Sequence, residues 1–267
     1  MKSKRLSIYV SSPDSYSDVL SIFLNGYHRY WSNCPYEFNL STNTKKYDGI
    51  HCFCNNKQGD SWVERTISVL SNITTKYILL LCDDIIICDY INNDEIEEIL
   101  DYMDNNNIRF CRLKPYAFKG PHTSSSLLFR VNKQTPYAVN IQIGIFRKDY
   151  LEELLGDGCL SVWNIEASLN KKAAQAENEL YEDVVVVSKN IIPHIHGIMK
   201  GGWIRTSVKK LREKHLCSDL ERPFIPWTME LKLRLISFIN PKISFRTRRI
   251  IKLIAMKMLG LNFTTKS

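Results

Sequence analysis

No stretch of about 18 uncharged apolar residues occurs in the 267-residue chain, so no membrane-spanning helix is expected. The basic start, MKSKR, is followed by an apolar run too short for a secretory signal, and that run reads as a first strand. None of the eight cysteines forms a CxxC pair. Cys52 and Cys54 lie two apart, but a zinc site would need two more ligands, and the spacing offers no pattern for them. Most of the cysteines sit in apolar segments and read as small core residues, and reduced thiols point to the cytoplasm. There is no internal repeat and no nucleic-acid-binding motif, so nucleic acid is not an expected partner. SIYVSSPDSYSD, near the N-terminus, holds neither glycine nor a cation, which weighs against the triphosphate-gripping loop of a nucleotidyltransferase. Acidic residues nearly vanish after residue 227. Residues 228–267 carry nine Lys and Arg against Glu230 alone, so the net charge of +8 belongs to this end and the rest is near neutral.

What is present alternates. RLSIYVSS reads as a strand and SYSDVLSIFLNGYHRYW as an amphipathic helix with Val19, Phe23, Tyr27 and Tyr30 near helical spacing. YEFNLSTN and GIHCFCNN read as short strands. SWVERTISVLSNI opens with Ser61 and Glu64 at capping-box spacing. YILLLC is a strand, NNDEIEEILDYMDNNN a helix with acids in its first turn, and IRFCRL a strand. KPYAFKGPHTSSSLLFRVNKQTP reads as a long loop, AVNIQIGIF as a strand, RKDYLEELL as a helix and VVVVS as a strand. Such β/α alternation predicts an α/β domain with a mostly parallel sheet.

YILLLCDDIIICDYI, residues 77–91, places Asp83 and Asp84 inside an apolar run. A run without period-2 alternation reads as a strand buried on both faces. An unpartnered carboxylate there would cost several kcal/mol. Either the strand ends at Cys82 and the pair sits at its solvent edge, or a cation neutralises it. Ligands of open α/β sheets bind beyond the carboxyl ends of strands, and two adjacent carboxylates suit Mg²⁺ or Mn²⁺. An Asp-rich turn without a ligand is the plain alternative. Glu166, in SVWNIEAS, is flanked by Trp163 and Ile165. Apolar surroundings would raise its pKa and fit it for a base, and an exposed Glu on an amphipathic turn is the alternative. In PHIHGIMKGGW, His194 and His196 share a face if extended, Gly201 and Gly202 permit close backbone approach, and Lys200 can meet a phosphate. A purely structural His pair is the alternative there.

Taken in order, GDSWVERTISVLSNITTKYILLLCDD, IQIGIFRKDYLEELL, WNIE and HGIMKGGWIR resemble the GT-A-fold glycosyltransferases of bacterial capsule, O-antigen and other surface-polysaccharide gene clusters. The resemblance covers most of residues 5–212. It implies a GT-A-like, Rossmann-like sheet and a DXD-like metal motif in which Asp84, with Asp83, holds Mn²⁺ or Mg²⁺ on the diphosphate of a nucleotide-sugar. UDP is the nucleotide it implies. It also implies that the Trp-x-x-Glu acid lies near the acceptor. Enzymes of this fold set groups near the nucleotide in the loop after the first strand, which makes Ser11 and Asp14 candidates for nucleotide contacts, with Asp60 and Lys200 as further ones. His194 and His196 are candidate additional metal ligands. Glu166 is the candidate base, with Glu182 and Asp183 of LYEDVVVV as rivals. One base opposite the leaving group gives inversion.

The expected organisation is a catalytic domain over 1–222 and a basic tail over 223–267. The tail, LKLRLISFINPKISFRTRRIIKLIAMKMLG and its flanks, mixes Leu, Ile and Phe with cations. Basic amphipathic helices lie in the interface of anionic membranes. The expectation is therefore a cytoplasmic enzyme, peripheral at the inner face of the cell membrane, acting on a lipid-linked glycan. A helix pair packed on the domain with a solvated basic face is the alternative. A non-catalytic basic binding module is the competing class.

Overall fold

The computed structural model describes residues 4–54, 61–115, 120–217 and 220–232. Strand β1 (Leu6–Ser11) passes through a short 3-10 turn (Asp14–Tyr16) into helix α1 (Ser17–Tyr30), and β2 (Glu37–Thr42) and β3 (His51–Cys54) follow. Then come α2 (Trp62–Leu70), β4 (Tyr77–Cys82), β5 (Ile85–Ile87), α3 (Asn93–Asn105), β6 (Phe110–Arg112) and β7 (Leu128–Asn132). The chain continues through β8 (Gly144–Arg147), α4 (Lys148–Leu155), α5 (Val162–Gln175) and β9 (Leu180–Val187). It closes with β10 (His194–His196), β11 (Ile198–Met199), β12 (Gly202–Trp203) and α6 (Arg205–Glu213).

Among the described residues, eight strands form one sheet in the order β3-β2-β1-β4-β8-β6-β9-β7. β3, β2, β1 and β4 are mutually parallel, and β6 and β9 are parallel to each other. β8 runs antiparallel to both β4 and β6, and β7 runs antiparallel to β9. Six strands thus share one direction. This is the mostly parallel α/β sheet expected, and it is consistent with a GT-A-like architecture. The non-alternating apolar runs have a simple cause. Leu6, Ile8 and Val10 of β1 and Leu79 and Leu81 of β4 enter one core with α1 and α3, while Tyr9, Ile78 and Leu80 enter the other with α2 and α4. A sheet covered on both faces needs apolar residues at both parities.

The local signals held where they were chemical. Ser61 caps α2 by accepting from the Glu64 N–H (3.1 Å), and the Glu64 carboxylate accepts from the Ser61 N–H (2.6 Å). Two expectations need correction. The segment 114–136 is not wholly a loop, since it contains β7, which is paired to β9 with a register shift between Arg130 and Asn132. AVNIQIGIF is strand only over its last residues and Arg147. Of the segment beyond 222, residues 223–232 are described. The Trp203 N–H donates to the Pro223 carbonyl (2.9 Å) and the Ile225 N–H to the Trp203 carbonyl (3.0 Å). The Glu230 carboxylate, 1% exposed, accepts from the Thr206 N–H and hydroxyl, both at 3.0 Å, at the start of α6. The rest of the basic tail lies outside the described residues.

α1 approaches β5 closely enough to require a glycine. A Cβ at Gly26 would stand 2.3 Å from the Ile87 carbonyl oxygen. Gly26→Ala gains about 1 kcal/mol of helix propensity, yet it forces backbone apart. The expected result is a net loss of about 1–3 kcal/mol, the usual cost of overpacking, read as a lowered midpoint in urea. A stabilised variant would mean that α1 and β5 are not in contact.

Candidate active site

β1 and β4 run side by side and end together, with Ser11 opposite Cys82. β4 stops at Cys82, so Asp83 and Asp84 sit in the turn beyond the carboxyl end of a central strand, the position that the sequence favoured. Asp83 is buried, and Oδ2 accepts a 2.6 Å hydrogen bond from the Ser12 hydroxyl. Burial pushes its pKa up to about 7, with the charge of Asp84 adding to the rise, while the Ser12 hydrogen bond and the Arg222 charge oppose it. A hydroxyl hydrogen bond supplies only part of what water gives a carboxylate, which is why burial wins.

After Asp84 the chain does not simply continue as a turn. β5 pairs antiparallel with β10, setting His196 opposite Ile85 and His194 opposite Ile87. This ribbon carries the histidines to the aspartates. His196 Nε2 donates to Asp84 Oδ2 at 2.8 Å, and the Gly197 N–H donates to the Asp84 carbonyl at 2.9 Å. The Ser207 hydroxyl, in α6, holds the His196 carbonyl at 2.7 Å. His194 is extended on the same strand, but its Nδ1–H donates to the Ile192 carbonyl at 2.6 Å, and burial lowers its pKa. His196 is therefore the histidine in contact with the acidic pair.

Glu166 lies on α5, which Ser161 caps by accepting from the Asn164 N–H (3.3 Å). It is buried, so the alternative of an exposed acid does not apply. Its Oε1 accepts from the Ile141 N–H at 3.2 Å. Burial raises its pKa, against the Ile141 hydrogen bond and the positive charge of Arg112. Only one of the two expected apolar flanks is buried beside it. Ile165 is in the core, while Trp163 is 78% exposed, because residues two apart on a helix point to different sides. The Cys82 thiol, whose pKa is raised chiefly by burial, also feels Asp84, Asp83 and Glu166. Two carboxylates from the turn after β4 and one from α5 thus lie within electrostatic reach of the Cys82 thiol at the end of β4.

The rivals lie elsewhere. Asp183 accepts from Arg109 Nε at 2.6 Å and sits with Glu182 in the N-terminal half of β9, away from the strand ends that carry Asp83. Ser11 is buried at the end of β1, its hydroxyl near the Tyr9 phenol. Asp14 is engaged as a loop clip. It accepts from the N–H groups of Asn43, Thr44 and Lys45 and from the Thr44 hydroxyl, and these bonds outweigh burial and hold its pKa below the usual range. Asp60 lies outside the described residues. Lys200 and Gly201, with φ of 47° and 79°, are the two central residues of the β11–β12 hairpin, and Lys200 is exposed at its tip. The glycines serve that turn and the packing on Pro223 and Ile225, where a Cβ on Gly202 would stand about 3.0–3.1 Å from three atoms.

One neighbour of the site carried no readable signal. Arg222, in what reads as a breaker segment, pairs with Asp18 (3.0 and 3.2 Å) and donates to the carbonyls of Ser15 (2.6 Å) and Gly201 (3.1 Å). Its guanidinium lies 4.1 Å from the Tyr16 ring centroid. It ties the loop after β1 to the β11–β12 hairpin, and its charge reaches Asp83.

Among the described residues, no three His, Cys, Asp or Glu side chains group closely enough to hold a metal ion by themselves. Asp83 is turned to Ser12 and Asp84 to His196. This donor set fits a hard divalent cation that binds through one or two carboxylates and completes its shell with water and substrate phosphates.

No protein-family model matches the chain, and no curated protein matches it. Among solved structures it is similar to residues 1–349 of S. aureus TarS, with 12% identity, 81% of this chain and 67% of that chain covered, and a TM-score of 0.44. Against a longer S. aureus TarS structure the figures are 12% identity, 90% and 44% covered, and 0.45. Against a CMP:2-keto-3-deoxy-manno-octonic acid synthetase complexed with CTP they are 11% identity, 78% and 97% covered, and 0.44. The chain spans less than half of the longer TarS structure. At this level of likeness the reading of the site rests on its own geometry.

The folded protein holds a proton on Asp83 up to about pH 7, against an ordinary 3.8. The stability contributed by this group is present below pH 3.8 and is lost as pH rises through 7. Asp83→Asn escapes that loss. In chelator it should exceed the wild type in stability at pH 8 by about 2–4 kcal/mol, with the gap narrowing at pH 5. Denaturant titrations at the two pH values read it. A variant less stable at pH 8 than at pH 5, relative to wild type, would mean the Asp83 charge is fully matched in place.

Proposed function

We propose that this protein is a metal-dependent glycosyltransferase, moving a sugar from a nucleotide-sugar, with UDP the expected nucleotide, to an acceptor hydroxyl with inversion. The observation that carries this reading is the placing of Asp83 and Asp84 in the turn beyond the carboxyl end of β4, with the buried Glu166 of α5 also within electrostatic reach of Cys82 at that strand end. Two of the acids are adjacent and suit Mn²⁺ or Mg²⁺, and the third is separate, buried and raised in pKa. A pair for a cation and a lone acid for a proton is the division of labour that sugar transfer needs.

Asp84 and Asp83 would hold the cation, with His196 orienting Asp84 and Ser12 orienting Asp83. Bound there, the cation supplies charge neutralisation to the diphosphate leaving group. Glu166 takes the proton of the acceptor hydroxyl as its oxygen attacks the anomeric carbon. The new C–O bond forms as the bond from the sugar to the phosphate oxygen breaks, and the nucleoside diphosphate leaves with the electron pair. With one base on the face opposite the leaving group, configuration inverts. Since burial raises the Glu166 pKa, turnover should rise with pH through a value above the ordinary carboxylate range.

The acceptor in this reading is a lipid-linked glycan of a bacterial surface polysaccharide, a capsule or O-antigen. The excess charge of residues 228–267, interleaved with Leu, Ile and Phe, supports a peripheral location at the inner face of the cell membrane. Truncation after Lys232 keeps Glu230 at the start of α6. It should leave a folded domain that no longer pellets with anionic liposomes, whereas unchanged pelleting would contradict the role of the tail.

Two substitutions test the chemistry. Asp84→Asn should remove metal-dependent binding of UDP by calorimetry while the protein stays folded, and wild-type affinity would sink the cation role. Glu166→Gln keeps shape but cannot take a proton, so turnover should fall about 10²–10⁴-fold with donor binding unchanged. A loss confined to acceptor KM would make Glu166 a positioning residue instead. Release of pyrophosphate from a nucleoside triphosphate by the wild type would move the assignment to a nucleotidyltransferase.

A further inference from the structure

α6 has two faces of opposite character. Val208 and Leu211 are buried in the core that also holds α1 and α3. Arg205, Lys209 and Arg212 stand at i, i+4 and i+7, so they share one stripe along the helix. Like charges at that spacing repel, so the stripe costs α6 stability. Together with Val208, Glu213 and Phe224 these cations line an open groove of about 400 Å³, in which Glu213 is the one acid. Lys209 is exposed and has no hydrogen-bond or ion-pair partner among the described residues.

The segment after Arg222 sets apolar side chains beside these charges. The Arg205 guanidinium lies 5.0 Å from the Phe224 ring centroid. Trp227 opens a helical turn three residues further on, and Glu230 of that turn lies 3.5 Å from Arg205. The turn is therefore pinned at the Arg205 end of the stripe. Trp227 and Leu231 are four apart and point to one side, away from the buried Glu230. Phe224, Trp227 and Leu231 are 40%, 58% and 48% exposed. Large apolar side chains held in water and rimmed by charge mark interaction surfaces.

We propose that the basic stripe of α6, with Phe224, Trp227 and Leu231, is a bilayer-contacting surface of the folded domain. Its cations meet the phosphates of anionic phospholipids, and its rings lie at the level of the headgroups, where Trp is favoured. Free phosphate would use the cations and leave the rings in water, and a nucleic acid would leave Leu231 there. The basic segment 233–267 leaves the chain from this same edge, at Lys232. The proposal extends to the domain the peripheral location read for the tail, and it does not rest on the transferase reading. Stable attachment takes two signals, so the face alone, in a chain ending at Lys232, is too weak to pellet. Ser207, which holds the His196 carbonyl, is on the opposite side of α6 from the stripe. The His196 side of the helix then stands about 10–12 Å, one helix diameter, from the bilayer.

Vesicles of phosphatidylcholine with and without phosphatidylglycerol test the surface in the full chain. The wild type should bind the anionic vesicles, and Lys209→Glu should weaken that binding at least about tenfold, since one cation near an anionic surface is worth about fivefold and reversal adds repulsion. Lys172→Glu makes the same charge change on α5, which packs on the other face of the sheet, and should bind as the wild type does. Brominated phospholipid should quench the tryptophan emission of the wild type, and Trp227→Phe should lose most of that quenching. All three side chains are exposed, so the variants should keep their thermal midpoints. Equal loss in Lys172→Glu and Lys209→Glu would mean that net charge rather than this face meets the lipid, and it overturns the proposal. Unchanged binding by Lys209→Glu also overturns it and leaves the tail as the whole anchor. Quenching that persists in Trp227→Phe, or no quenching in the wild type, overturns it as well. No wild-type binding to anionic vesicles overturns both this surface and the role of the tail. Weaker binding of duplex DNA by Lys209→Glu, with vesicle binding unchanged, would assign the face to nucleic acid instead.

Discussion

The site is organised by the exit of β4 from the sheet. A chain leaving a two-sided core must satisfy its first polar residues at once, and here those are two carboxylates. Asp83 takes the Ser12 hydroxyl from the parallel exit of β1. Asp84 takes His196, which reaches it only because β5 and β10 pair. That ribbon is seated tightly on its surroundings. It presses Ile87 against Gly26, and a Cβ on Gly197 would stand 2.7 Å from the Trp203 ring. α6 then fastens the ribbon through Ser207, and Glu230 from beyond residue 222 satisfies the start of α6. The contacts form a continuous chain from the acidic pair to the beginning of the basic tail.

Electrostatics explains why such a site is held rather than avoided. Burial and like charge both disfavour ionised Asp83, and burial disfavours ionised Glu166. Arg222 relieves Asp83 from a distance while its guanidinium is occupied by Asp18 and two carbonyls. The fold thus carries an electrostatic cost of the kind that a bound cation would relieve. Natural sites commonly trade stability for function in this way.

The sheet was legible in the sequence because its strands are apolar at both parities and its helices carry local signals. The Ser61–Glu64 capping box, the acids opening α3 and the end of β4 before Asp83 all followed from neighbouring residues. What escaped was non-local. β7 lies in a Ser- and Pro-rich segment whose strand character comes from pairing with β9. β5 is three residues long and exists because β10, more than a hundred positions later, lies beside it. α5 was hidden by the few apolar positions around WNIE, and its helical spacing sends Ile165 into the core while Trp163, two positions before it, is exposed. Arg222 finds Asp18 across 204 positions, which no local pattern encodes. Lys200 and its glycines were legible as special but not as a hairpin turn.

The most direct test of the account follows one incubation by ³¹P and ¹H NMR. It contains the protein, Mn²⁺, a panel of nucleotide-sugars and a glycan acceptor. The account predicts free nucleoside diphosphate, appearing together with an acceptor glycoside whose anomeric configuration is inverted relative to the donor. Retained configuration would contradict Glu166 as a single-displacement base, and intact nucleotide-sugars throughout the panel would contradict the assignment of the three carboxylates to sugar transfer.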